Sequence, residues 1–300
     1  MISQTLMDKL QQLRLPAFRD GLREQLSNPQ YAELSFEERL LLLVDMECTR
    51  RLDHRTKYRI KLANFPMHAS IEDLDFSADR GLDRRFILEL SQCNWIEKAL
   101  NIIISGATGT GKSFLACAFG TAACRLGYSV RYLHTARFLF TLEHARRDGS
   151  YLNFLRSISK SDVLIFDDWM RDPIQPSSAQ DLLEVFDDRF GKYATIIVSQ
   201  VPISDWHSRF PDSNLADAIL YRTVHNAYRL SLLGDSQRKI KGFHAISHIS
   251  CTIFLASYFF SFTVRISAEC MCDFTGISKI AIKLKENSPG KRQPKPGMYP

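Results

Sequence analysis

Gly106-Ala-Thr-Gly-Thr-Gly-Lys-Ser113 gathers three glycines, a lysine and a serine into eight residues. It follows the apolar run Ile102-Ile-Ile-Ser105 and leads into Phe114, Leu115, Ala118 and Phe119 at helical spacing, so it reads as strand, glycine loop, helix. Gly106, Gly109 and Gly111 let backbone N–H groups turn inward without Cβ clashes, and with Ala107, Thr108 and Thr110 they form a cradle for phosphate oxygens. The first turn of the following helix adds a dipole that favours an anion. Lys112 supplies a compact cation for β- and γ-phosphates, and Ser113 a hydroxyl for Mg²⁺. An ordinary glycine turn would not carry this spacing between these flanks.

Downstream, the pattern alternates. Gly127 stops the helix, Tyr128-Ser-Val-Arg-Tyr-Leu133 reads as a second strand, and Phe138, Leu139, Leu142 and Ala145 as a helix. Val163-Leu-Ile-Phe166 is a buried strand that runs into Asp167-Asp168, and Thr195-Ile-Ile-Val-Ser199-Gln200 is another. Alternation of this kind predicts an α/β fold: a parallel sheet flanked by helices, with ligands at the carboxyl ends of the strands.

At that edge Asp167 is expected to hold Mg²⁺ and Asp168 to orient the attacking water, the Walker B arrangement. Ser199 or Gln200 is expected to meet the γ-phosphate or that water at the sensor 1 position, Ser199 standing as the candidate although the residues alone do not separate the two. Ala216-Asp-Ala-Ile-Leu-Tyr-Arg222 reads as a helix that delivers an arginine, and Tyr228-Arg-Leu-Ser-Leu-Leu233 as the last strand. An arginine from a neighbouring subunit can stabilise charge on a γ-phosphate.

Ahead of the loop the pattern is helical. Leu6, Leu10 and Leu13 repeat at helix spacing, Phe18, Leu22 and Leu26 resume after Pro16, and Ser35 with Glu38 has the capping-box spacing that starts a third helix. The third helix ends in Arg50, Arg51, Arg55, Lys57, Arg59 and Lys61 with only Asp53 opposing, a run suited either to DNA phosphates or to a solvated face. Phe65-Pro66 ends this region, and a helix is expected around Arg84 to Ser91. Leu74, Phe76 and Leu82 read as core residues or as neighbours of a nucleotide base.

The chain has 300 residues, 45% of them hydrophobic, and a formal net charge of +6, which bounds it to a globular chain with a sizeable core and a mild basic excess. Seven cysteines show neither a paired framework nor two CxxC units, and the N-terminus has no basic segment followed by an apolar core. A reducing, cytoplasmic location follows as an expectation, with no stable membrane partner.

The sequence resembles the IstB-like ATP-binding proteins, insertion-sequence helper ATPases related to DnaC-type helicase loaders. The resemblance covers residues 5 to about 239 and rests on Leu34-Ser-Phe-Glu-Glu-Arg-Leu40, the glycine loop, Leu164-Ile-Phe-Asp-Asp-Trp169, Ser199-Gln-Val-Pro202 with Trp206-His207, and Leu215-Ala-Asp-Ala-Ile-Leu220 with Val224-His-Asn226. It implies an AAA+ phosphate-loop fold over residues 67–239 behind a small all-α domain, residues 1–66, for DNA binding and oligomerisation. It also implies ATP with Mg²⁺, hydrolysis stimulated by DNA and assembly, ATP-dependent oligomers on DNA, and a partner transposase encoded beside it. The alternatives are a helicase loader and a nucleotide-binding remnant with little turnover. By position Lys112, Ser113, Asp167 and Asp168 keep their roles, Arg222 falls on the arginine finger, and Arg238 near a second nucleotide-sensing arginine. Two positions depart from the family pattern: Tyr221 replaces an Asp before the finger, and Met170 a Gly after the Walker B Trp.

Residues 240–300 extend past the usual family end. Residues 249–264 are apolar and aromatic but shorter than the roughly 20 apolar residues a bilayer needs. They read as a frame-altered extension, a marginal membrane segment or a small β appendage. Residues 291–300, proline-rich and basic, read as disordered.

Overall fold

Strands uniformly apolar on both faces must be covered on both, and here they are. The computed structural model describes residues 4–76 and 81–234. Its centre is a five-stranded sheet, β1 (Asn101–Gly106), β2 (Val130–His134), β3 (Val163–Trp169), β4 (Ala194–Ser199) and β5 (Ala227–Leu232), in the order β2-β3-β4-β1-β5. Every neighbouring pair is parallel. Successive residues of β1 face opposite sides: Ile102 and Ile104 enter one core and Ile103 the other.

The first core holds α4 (Arg84–Ser91), α5 (Asn94–Glu97) and α6 (Lys112–Arg125), whose Leu115, Ala118 and Phe119 are fully buried. Leu74, Phe76 and Leu82 pack partly buried against it. The second core holds α7 (Thr135–Asp148), α8 (Tyr151–Ser159), α9 (Pro176–Arg189) and α10 (Ser213–Val224) around Phe166, Trp169, Phe186 and Trp206. Of these, the sequence patterns do not mark α8 or α9.

The N-terminal segment forms α1 (Gln4–Gln12), α2 (Pro16–Ser27) and α3 (Phe36–Ala63). The capping box is made: the Glu38 N–H donates to Ser35 Oγ at 3.2 Å and the Ser35 N–H to Glu38 Oε2 at 2.8 Å. Long α3 also leaves the helical segment. Ala63 is fully buried in the first core, with Ile60 and Phe65 packed beside it, so its last turns belong to the covering of the sheet. The described residues, 4–76 and 81–234, fall in one compact unit. The expected extension at 240–300 and Arg238 lie outside the described residues.

Because β3, β4 and β1 are adjacent in the sheet, the glycine loop, the paired carboxylates and Ser199-Gln200 emerge side by side at one carboxyl edge.

Candidate nucleotide site

Gly106 leaves β1 at φ +147°, and a Cβ there would stand 2.3 Å from the Leu232 carbonyl oxygen on β5, so no side chain fits. Gly111 at φ +95° caps α6 without any side-chain hydrogen bond, which leaves the first N–H groups of that helix to an anion. Lys112 is buried, and its Nζ donates to the Ala107 carbonyl at 2.7 Å; Thr110 Oγ1 donates to the same oxygen at 2.9 Å. Burial pulls the Lys112 ammonium below its usual pKa, while Asp167 and Asp168 oppose that shift.

A β-bulge aims the two carboxylates. Phe166 pairs with Ile197 and Trp169 with Ser199, so Asp167 and Asp168 together face the single residue Val198. Asp168 sits at φ +54° and Met170 at +57°. Left-handed backbone at Met170 is the conformation a glycine takes without strain, and Gly is the residue that the resemblance implies there.

Asp167 is held inside. Tyr132 donates its phenol to Oδ2, the Asp168 N–H donates to Oδ1 at 2.8 Å, and Thr135 Oγ1 donates to the Asp167 carbonyl at 2.7 Å. Burial first, then the neighbouring carboxylate, pushes the Tyr132 phenol pKa up, so it stays a donor. Asp168 points out to His134 Nε2 at 3.0 Å, Arg171 Nη1 at 3.3 Å and Gln200 Nε2 at 3.3 Å.

The two sensor candidates, Ser199 and Gln200, differ in their partners. Ser199 is fully buried; its hydroxyl donates to the Trp169 carbonyl at 2.8 Å and accepts from the Val201 N–H at 3.0 Å. It ties off the strand end. Gln200 is the residue at the edge: Thr108 Oγ1 donates to its Oε1 at 2.7 Å, and its Nε2 reaches Asp168, linking loop and carboxylate.

The donor set fits Mg²⁺. Among the described residues the Ser113 hydroxyl makes no hydrogen bond, Asp167 brings a carboxylate to the same edge of the sheet, and no cluster of three or more His, Cys, Asp or Glu could hold a metal by itself. One hydroxyl and one carboxylate, completed by phosphate and water, suit a cation that keeps its waters.

The family model for IstB-like ATP binding protein matches residues 8–245. The chain belongs to the IstB-like family. Similar relatives include an insertion sequence ATP-binding protein of Sinorhizobium fredii, 39% identical over 80% of this chain and 98% of that protein. The ATP-binding protein of insertion sequence IS1162 from Pseudomonas fluorescens is 43% identical over 68% of this chain and 89% of its own length. Among solved structures, the replication initiator DnaA bound to AMPPCP and single-stranded DNA aligns with a TM-score of 0.50 at 17% identity, over 60% of this chain and 57% of that one. The fold is that of the AAA+ phosphate-loop proteins, with a helical N-terminal region.

In this IstB-like chain the other expected residues lie apart from the loop. Arg222 is near the end of α10, beside Asn101 at the amino edge of the sheet, with the loop beyond the far end of β1. Five residues of strand separate the two levels by roughly 16 Å. Its guanidinium pairs with Asp187 on α9 and donates to the Ala218 carbonyl at 2.7 Å. Tyr221 meets the rings of Phe190 and His225 at a tilt, with ring centroids 5.9 and 5.0 Å away.

The basic run on α3 divides. Arg50 and Arg51 both bond Glu47 at 3.0 Å, and Arg51 also reaches the Arg14 carbonyl at 3.3 Å. Arg59 is half-buried, its guanidinium beside Gly127 at the end of α6. Arg55, Lys57 and Lys61 are exposed.

Nothing in the sequence pattern marks Tyr132, His134 or Thr135 as site residues. Their signal is position, at the end of a strand next to β3, and it is usable only once strand order is known. Among the described residues the four cysteines are free, and no helix is long and apolar enough to cross a membrane.

Proposed function

We propose that this chain is an ATPase that assembles on DNA in its ATP-bound state and regulates a transposase encoded beside it, in the cytoplasm. The insertion-sequence names of relatives that match it over most of their length support transposition over helicase loading. ATP would draw Lys112 from the Ala107 carbonyl to the β- and γ-phosphates, and Gln200 would set the attacking water against Asp168. Ser113 and Asp167 would hold Mg²⁺, which when bound neutralises charge on the β- and γ-oxygens. Arg55, Lys57 and Lys61 would meet DNA phosphates without reading sequence.

One observation carries the assembly reading: Arg222 stands at the sheet edge opposite its own loop. An arginine that far away can stabilise a γ-phosphate only in a neighbouring subunit. The test mixes Arg222→Ala, which has an intact site but no finger, with Asp168→Asn, which has a finger but no working site. Recovery of ATPase in co-assembled mixtures supports the reading. Mixed assemblies no more active than either variant alone would remove the trans role from Arg222.

A further inference from the structure

Asn101 is a buried polar side chain at the start of β1 that the nucleotide chemistry does not use. Its amide is fully engaged. Nδ2 donates to the carbonyls of Arg222 at 3.0 Å and Thr223 at 3.2 Å, and Oδ1 accepts from the Thr195 N–H at 2.9 Å. Its own N–H donates to the Asn226 carbonyl at 2.8 Å.

The last carbonyls of a helix have no partner within that helix. At the end of α10 one side chain satisfies two of them, and the first of the two belongs to the arginine whose guanidinium is paired with Asp187. The backbone of Arg222 is thereby fixed against β1 and, through Thr195, against the start of β4. Asn is suited to this work because it carries two donors and an acceptor on a short, planar group. Asp, isosteric with it, would place an oxygen against two carbonyls.

We propose that Asn101 is a positioning residue for the trans-acting arginine: it holds the end of α10 at the height and rotation from which Arg222 reaches a neighbouring subunit's nucleotide. The inference rests on the reading that Arg222 acts across the subunit boundary. It makes a claim no merely structural role would share, that the defect of an Asn101 variant belongs to the neighbour's site and not to its own.

The experiment uses full-length Asn101→Asp with DNA and ATP. Binding of a fluorescent ATP analogue should stay within about twofold of the parent, while assembly-dependent turnover falls at least about tenfold. Mixing Asn101→Asp with Asp168→Asn should restore turnover, because Asn101→Asp sites are intact and receive a well-placed Arg222. Mixing it with Arg222→Ala should not, since neither chain presents a competent finger. If Asn101→Asp does not join mixed assemblies, Asn101→Ser, which is too short to reach α10, takes its place in the same mixtures.

Unchanged turnover would overturn the proposal. So would recovery of the Arg222→Ala and Asp168→Asn mixture together with no recovery of the Asn101 variant and Asp168→Asn, which would place the defect in its own site. If neither mixture recovers, the trans reading of Arg222 fails and the role of Asn101 goes with it.

Discussion

Replacing Glu47 by Gln separates the structural arginines of α3 from those free to meet DNA. Glu47 is 4% exposed and accepts from the Ala17 N–H at 2.9 Å and the Phe18 N–H at 3.3 Å on one oxygen, and from Arg50 and Arg51 at 3.0 Å on the other. Burial raises its pKa, but those four donors outweigh burial and hold it at about 2, against an ordinary 4.5. A depression of that size corresponds to about 3 kcal/mol of stability at neutral pH. Because the two arginine side chains are 42% and 48% exposed, solvent screening reduces this to ~2 kcal/mol. The folded-state pKa is the lower one, so the contribution is complete above pH 4.5 and fades as pH falls toward 2. Glu47→Gln should therefore lower the thermal midpoint by about 4–8 °C at pH 7. The gap to the parent should hold from pH 5 to 8 and narrow below about pH 4.5. DNA affinity should not fall, because Arg50 and Arg51 are released, and its salt dependence should steepen. A midpoint change under about 1 °C at pH 7, or a gap at pH 3 as wide as at pH 7, would show that Glu47 does not hold these donors in this way.

Lys112→Ala should abolish nucleotide binding in a fluorescent-analogue titration, since the loop loses its only side-chain cation, whereas Asp168→Asn should bind nucleotide and fail to turn it over. Gln200→Ala should bind ATP nearly as the parent does yet hydrolyse it roughly 10- to 100-fold more slowly in a phosphate-release assay. Ser199→Ala should instead cost about 1–2 kcal/mol in a denaturant titration, because it leaves the Trp169 carbonyl without its donor. Gly106→Ala should destabilise by ~2 kcal/mol or more and impair nucleotide binding, as its Cβ would meet the Leu232 carbonyl.

The strands and the loop were legible in the sequence because apolar runs, glycines and paired carboxylates each answer to a local requirement. The third helix was legible through Ser35 and Glu38, whose reciprocal bonds form within four residues. What sequence could not supply was strand order. The sheet places β2 beside β3, and that adjacency alone brings Tyr132 to Asp167 and His134 to Asp168. Ser199 and Gln200 stay unseparated in the sequence for a related reason: which of two consecutive polar residues faces the loop depends on the bulge in β3 and the buried Trp169 carbonyl that captures the serine. The basic run read as one surface, while Glu47, a neighbour on the same helix, takes two of its arginines for the packing of α2.

Whether hydrolysis occurs between subunits assembled on DNA is read from ATPase activity per mole of chain against protein concentration, with and without duplex DNA. Activity per chain should rise steeply with concentration, DNA should shift that rise to lower concentration, and Arg222→Ala should flatten both curves. An activity per chain that is constant across concentration and indifferent to DNA would instead place the whole catalytic apparatus within a single subunit.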